Sequence, residues 1–262
     1  MDKNIFRGIS YLRDGVQGSL IIVIFLALWE LLPTVGIIDR VFLPPVSEVA
    51  MALVKMISSG SLIDHILISL QRAFLGFALA VLVAVPLGIL MGWYKLFERF
   101  VDPLIQAFRN TSTLALYPVF ILFLGIGEAS KIAILFKAAL WPILINTISG
   151  VKTVDPLLIK SARSMAVSNV FLFRKVVLPS SIPSIASGIR IGASIALVVL
   201  VAAEMIGAKS GLGFLIINSQ YNFMIPEMYA AIVILVLLGL IINYALVWLE
   251  KKATGWKEEI NI

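Results

Sequence analysis

The chain has 262 residues, of which 60% are hydrophobic and only 14% charged, with a mean hydropathy of +1.03 and a formal net charge of +6. Soluble domains carry roughly 45–50% apolar and ~25% charged residues, so this composition excludes a water-soluble globular protein and points to an all-α, polytopic membrane protein. Cysteine is absent and His65 is the one histidine, which removes disulfides, thiol chemistry and a histidine-rich metal site, so no metal is expected here.

A crossing of the ~30 Å hydrocarbon core takes ~20 apolar residues, which leaves room for about five to seven helices and no sizeable soluble domain. In chain order the apolar runs predict six spans: Ser19–Ile38, Ile66–Trp93, Thr113–Ile126, Ser130–Val151, Ser187–Ala208 and Met228–Leu249. The first is too long and lacks the small-residue cleavage site of a signal peptide. The third is short unless Phe108–Ser112 continues it, with a break expected near Pro118. A cytoplasmic segment 1–18, one transmembrane domain over 19–250 and a cytoplasmic tail over 251–262 complete the organisation.

Fifteen of the 21 basic residues fall on one side of this arrangement. Arg40, Lys55, Arg72, Lys131, Lys137 and Lys209 fall on the other. The positive-inside bias places both termini and the 152–179 connection in the cytoplasm, and it accounts for the surplus of basic residues without a nucleic-acid surface. The expected location is the cell membrane, in contact with the lipid bilayer.

Two runs place small residues at every fourth position: Gly76, Ala80, Ala84, Gly88 and Gly92 in the second span, and Gly188, Gly192 and Ala196 in the fifth. Such stripes let backbones approach closely and are read as packing faces. Pro86 removes one backbone donor inside the second span and is expected to bend it. Ionisable residues inside spans invite a functional reading, and Glu30, Lys137 and Glu204 are of this kind. Asn110, Thr111, Thr113, Asn146 and Thr147 add uncharged polar groups, with a helix-to-helix hydrogen bond expected for Asn146. Lys137 and Glu204 lie at similar depths, so three readings compete for Lys137: snorkelling to the interface, an ion pair with Glu204, or a place on a path with Asn110, Thr111, Thr113 and Glu204, where it attracts an anion such as a sulfonate, nitrate or bicarbonate.

Between the fourth and fifth spans lies a basic connection, Lys160–Pro179 (KSARSMAVSNVFLFRKVVLP). It resembles the cytoplasmic loop of binding-protein-dependent ABC importer permeases, whose pattern is E-A-A, three residues, G, nine residues, I, one residue, L-P. The matching positions are Lys160, Ser161, Ala162, Ala166, Val176, Leu178 and Pro179. Spacing is intact, with Lys160, Ser161 and Ala166 departing from the pattern. The stretches DPLIQAFR (102–109), LGIGEASK (124–131), WPILINT (141–147), LPSSIPSIASGIRIG (178–192) and AEMIGAKSGLG (203–213) are similar to the nitrate, sulfonate, taurine and bicarbonate branch of these permeases.

The resemblance implies a type I ABC importer permease fold and a second, identical permease copy, so that the path forms in a homodimer. It also implies two copies of a cytoplasmic ATPase that holds ATP and Mg, and an extracytoplasmic binding protein that delivers a small anion. It assigns the ATPase contact to Lys160, Ser161, Ala162, Arg163, Ser164, Met165, Ala166, Val167, Ser168, Asn169, Phe171, Phe173, Leu178 and Pro179. A short helix over Ser164–Phe173 is expected to dock, with Phe171 and Phe173 as apolar pegs and Ser168 and Asn169 as caps. An amphipathic helix on anionic lipid is the competing reading of the same residues.

No phosphate-binding G-x-x-x-x-G-K-[ST] loop occurs, so this chain is not expected to bind a cofactor or hydrolyse nucleotide. No carboxylate cluster or nucleophile–base pair suggests an enzyme. An ion-coupled secondary transporter is the alternative from another class, and it wants paired interrupted helices in an inverted repeat. A non-transporting scaffold is a third.

Overall fold

The computed structural model describes residues 20–255. The segment 1–18, Ser19, most of the C-terminal tail and the basic residues Lys3, Arg7, Arg13 and Lys257 lie outside that range. The described residues are helical, without a strand among them. They fall into two compact units: residues up to Ile63 with Ile216–Val233, and Asp64–Leu215 with the residues from Ile234 on.

In the first unit, α1 (Leu20–Thr34) is a short apolar helix and α2 (Val46–Ser58) follows a turn. The expected first span continued to Ile38, but α1 ends at Thr34, where the hydroxyl bonds back to the carbonyls of Glu30 and Leu31. Glu30 has a partner within this unit. Its carboxylate accepts from the Ser47 backbone N–H at 3.0 Å and from its hydroxyl at 2.8 Å, satisfying an orphan donor in the first turn of α2. Trp29 Nε1 donates to the Pro44 carbonyl and the Tyr229 hydroxyl to that of Phe42, closing this unit.

The larger unit is built on α3 (Ser61–Trp93), α6 (Glu128–Lys152) and α9 (Leu178–Met205). Acid in the first turn of α6 (Glu128) and base in its last (Lys152) complement the helix dipole. Both small-residue stripes meet α6. A Cβ added at Gly88 would sit 2.7 Å from the Thr147 Cβ, and one at Gly188 would sit 2.6 Å from the Asn146 Cβ. Gly150 on α6 returns the favour toward Ser184 of α9, so backbones touch where side chains are missing. Ala80, Ala84, Ile143, Leu144 and Ala196 fill the core that results.

α4 (Lys95–Arg109), a 3₁₀ turn (Leu114–Leu116) and α5 (Tyr117–Leu124) form one apolar pair bent by 84°. The break lies at Asn110–Thr113, not at Pro118. Pro118 occupies the first turn of α5, where its missing N–H leaves nothing unpaired. α10 (Leu212–Tyr221) and α11 (Ile225–Thr254) end the described chain. Among the described residues four helices are long and apolar enough to cross a membrane, or five with the bent pair, while α1 is shorter than a full crossing over its described residues. Asn146 donates to the Pro142 carbonyl of its own helix, correcting the inter-helix bond expected for it.

Candidate functional site

The connection from α6 to α9 begins with α7 (Pro156–Ser164), capped by Asp155, whose carboxylate accepts from the Leu157 N–H at 2.7 Å. Pro156 at the first position suits that start. Lys160, Ser161, Ala162, Arg163 and Ser164 lie on α7. The chain then turns through Met165 and Ala166, which has φ +54. This is the pattern's glycine position, and the left-handed backbone explains the glycine: an L side chain there costs roughly 1 kcal/mol. Val167 and Ser168 lead into α8 (Asn169–Leu172), where the Ser168 hydroxyl accepts from the Phe171 N–H.

The single helix expected over Ser164–Phe173 is therefore two helices, because left-handed Ala166 and extended Ser168 interrupt the ladder. Phe171 is 49% exposed and Met165 76%, so both are free for a partner. Phe173 is not a peg. It packs inward on Trp93, with ring centroids 5.2 Å apart, beside Val151, Val154 and Val177. A π turn, Phe173–Val177, joins α8 to α9, and Pro179 lies in the first turn of α9, where its missing N–H leaves no helical bond unmade.

A second cluster gathers where α3, α6 and α9 meet the 206–211 connection. Arg72, 2% exposed, uses every N–H it has: Nε and Nη2 to the Glu128 carboxylate, Nη1 to Glu204 Oε1 and the Ser210 carbonyl, and Nη2 also to the Ser210 hydroxyl. Glu204, 0% exposed, further accepts from the Ser69 hydroxyl and from the Gly213 N–H. His65 Nδ1 accepts from Gly211, whose φ is +113. A Cβ at Gly211 or Gly213 would collide with Glu204, so these glycines let the connection close over the carboxylate.

Glu204 thus neither pairs with Lys137 nor lines a path. Arg72, counted among the basic residues of the outer side, is the hub of this cluster. The signal for it was a lone guanidinium seven residues inside an apolar run, with two glutamates unpaired elsewhere. Lys131 is likewise buried, donating to the Gly127 carbonyl at 3.0 Å.

Lys137, 6% exposed, does not snorkel. Its ammonium donates to the Thr111 carbonyl at 3.0 Å and the Thr113 hydroxyl at 3.3 Å, at the break between α4 and α5. Asn110, Thr111 and Ser112 are exposed around it. Of the five residues expected on a path, the structure brings Lys137, Thr111 and Thr113 together beside Asn110 and separates Glu204. No group of three or more metal-ligating side chains occurs among the described residues.

Comparison with known proteins agrees with this architecture. Residues 84–255 match the family described as binding-protein-dependent transport system inner membrane component. A putative ABC transporter permease protein of Methanocaldococcus jannaschii is 41% identical, covering 88% of each chain. A putative aliphatic sulfonates transport permease protein of Bacillus subtilis is 33% identical, over 92% of this chain and 88% of that one. The taurine transport system permease protein of Escherichia coli is 31% identical, over 90% and 88%. In fold, the chain is similar to one from inward-facing MetNI methionine ABC transporter, with a TM-score of 0.63 at 22% identity, covering 74% of this chain and 96% of that one.

Proposed function

The chain belongs to the family of binding-protein-dependent transport system inner membrane components, a permease subunit of an ABC importer, and we propose that its cargo is a small anion of the sulfonate, taurine, nitrate or bicarbonate class. As a permease subunit it works with a separate ATPase and a substrate-binding protein. The observation that carries the cargo reading is similarity over nearly the whole chain to permeases named for aliphatic sulfonates and for taurine.

The finer arrangement belongs to the same proposal. Two identical permease domains, each spanning about 19–250 with six crossings, stand over two ATPase chains that hold ATP and Mg, in the cell membrane with both termini cytoplasmic. The fifteen-to-six charge asymmetry supports the orientation. A second copy is supported by the exposed polar break at Asn110–Ser112, since irregular backbone at membrane depth is tolerated only against protein or water. Residues 160–179 form the ATPase contact through exposed Met165 and Phe171 on either side of the Ala166 turn. One broken span, α4–α5, is not the symmetric pair that a secondary transporter wants.

The test is reconstitution of the permease with its ATPase and binding protein in liposomes. ATP-dependent uptake of a radiolabelled anion that requires the binding protein supports the reading. Uptake driven by an ion gradient without ATP overturns it.

A further inference from the structure

α4 runs along α6 between two contacts, the Glu98–Lys152 ion pair at one end and the Thr111 carbonyl on Lys137 at the other. Lys137 is nine residues from Glu128 and fifteen from Lys152, so at 1.5 Å per residue it sits ~13 Å from one end of α6 and ~22 Å from the other. That is well inside the bilayer.

Along this same length α4 is amphipathic. Lys95, Arg99, Asp102, Gln106 and Arg109 recur at spacings of three or four and fall within an arc of about 100°, continued by Asn110 at the break. Lys95, Arg99, Gln106 and Arg109 are exposed. Charged side chains on a membrane-depth helix face protein or water, not lipid tails. Three cations against one carboxylate make the stripe positive.

At its head, the Lys137 ammonium is buried without a carboxylate partner among the described residues. Two of its three N–H groups are used. One helical turn further along the same face of α6, the Trp141 indole N–H is buried with no acceptor. Lys137 thus keeps one N–H beyond its two bonds, and Trp141, four residues on, has an N–H with no acceptor; spare donors of this kind suit an anion and not a cation.

We propose that Lys137, with the Trp141 indole and the Thr111–Thr113 break, is an anion-recognition site at the head of a water-lined half-path whose wall is the α4 stripe. The ammonium supplies the charge that admits a sulfonate or oxyanion and turns back a neutral solute of the same size. The inference rests on the importer reading above and adds to it the residues that select by charge inside the membrane.

The experiment uses the complete transporter in liposomes, with ethanesulfonate, taurine, nitrate and bicarbonate as radiolabelled probes. Lys137→Gln keeps a hydrogen-bond donor for the Thr111 carbonyl but no charge, and Lys137→Arg keeps both. Lys137→Gln is expected to lower anion uptake per assembled complex by about tenfold or more, with the amount of complex and the ATPase stimulation by binding protein retained. Lys137→Arg is expected to recover most of that loss, and Trp141→Phe to raise KM for the anion with Vmax little changed. A purely structural role makes Lys137→Gln equal to wild type, or lowers complex yield while uptake per complex stays the same, and either result overturns the site. Failure of the wild-type complex to take up any of the four anions with ATP overturns the importer cargo reading itself, and this site with it.

Discussion

Arg72 Nη1 and Glu204 Oε1 lie 2.8 Å apart in a pair that is almost wholly buried, joining α3 to the end of α9. The pair is stable because neither charge is left with unused valences: the guanidinium makes bonds from each of its nitrogens, and the carboxylate gathers Ser69 and Gly213 as well. A buried pair with its remaining donors and acceptors satisfied holds geometry, whereas half of one is costly.

Breaking that pair is therefore expected to be severe. Arg72→Gln or Glu204→Gln should each cost about 3–5 kcal/mol and lower the Tm of the detergent-solubilised protein. Glu128→Gln should cost far less, because the Glu128 side chain is 59% exposed. Arg72→Lys should resemble Arg72→Gln, since an ammonium cannot reproduce the fork that reaches Glu128, Glu204 and Ser210 together. Equal Tm values for Arg72→Gln and Glu128→Gln would remove the central role given to Arg72.

Ala166 provides a prediction of opposite sign. With φ +54, Ala166→Gly should relieve roughly 1 kcal/mol of backbone strain and leave transport unchanged or improved, and Ala166→Val should add strain. Phe171→Asp places a charge at the proposed ATPase contact and should weaken assembly or uncouple hydrolysis from uptake, with membrane insertion normal. Co-purification of the ATPase and its stimulated rate read both effects. Wild-type behaviour of Phe171→Asp in both assays would show that the contact lies elsewhere.

Close approach on α6 predicts steric sensitivity at small residues. Gly88→Val and Gly192→Val should destabilise by about 1–3 kcal/mol or more, since a Cβ alone already meets Thr147 at 2.7 Å and Ile143 at 2.8 Å. Gly239→Val, with nothing within 4 Å, should be close to neutral. Tm values across the three variants test the ordering.

Orientation is testable without transport. A reporter active on one side of the membrane only, inserted after Gly60 or fused after Gly255, should give opposite signals. Matching signals would contradict the six-crossing topology.

The sequence alone determined the class, the family resemblance and most of the helices. These depend on local quantities: apolar run length, spacing of small residues and a loop pattern whose glycine position proved to be the left-handed Ala166. Pro156 behind Asp155 and Ser168 before Asn169 are likewise local signals that start helices. What only the tertiary structure decided were the partners of buried polar groups. Lys137 and Glu204 share a depth, which made them look like a pair, but depth says nothing of azimuth. Arg72, more than a hundred residues from Glu204 along the chain, has the reach and the five donors to take that carboxylate, and Lys137 turns to the carbonyl that the α4–α5 break leaves free. Partner choice in a low-dielectric interior depends on which side chains the packed helices bring within about 3 Å, and that distance is not written in any one segment.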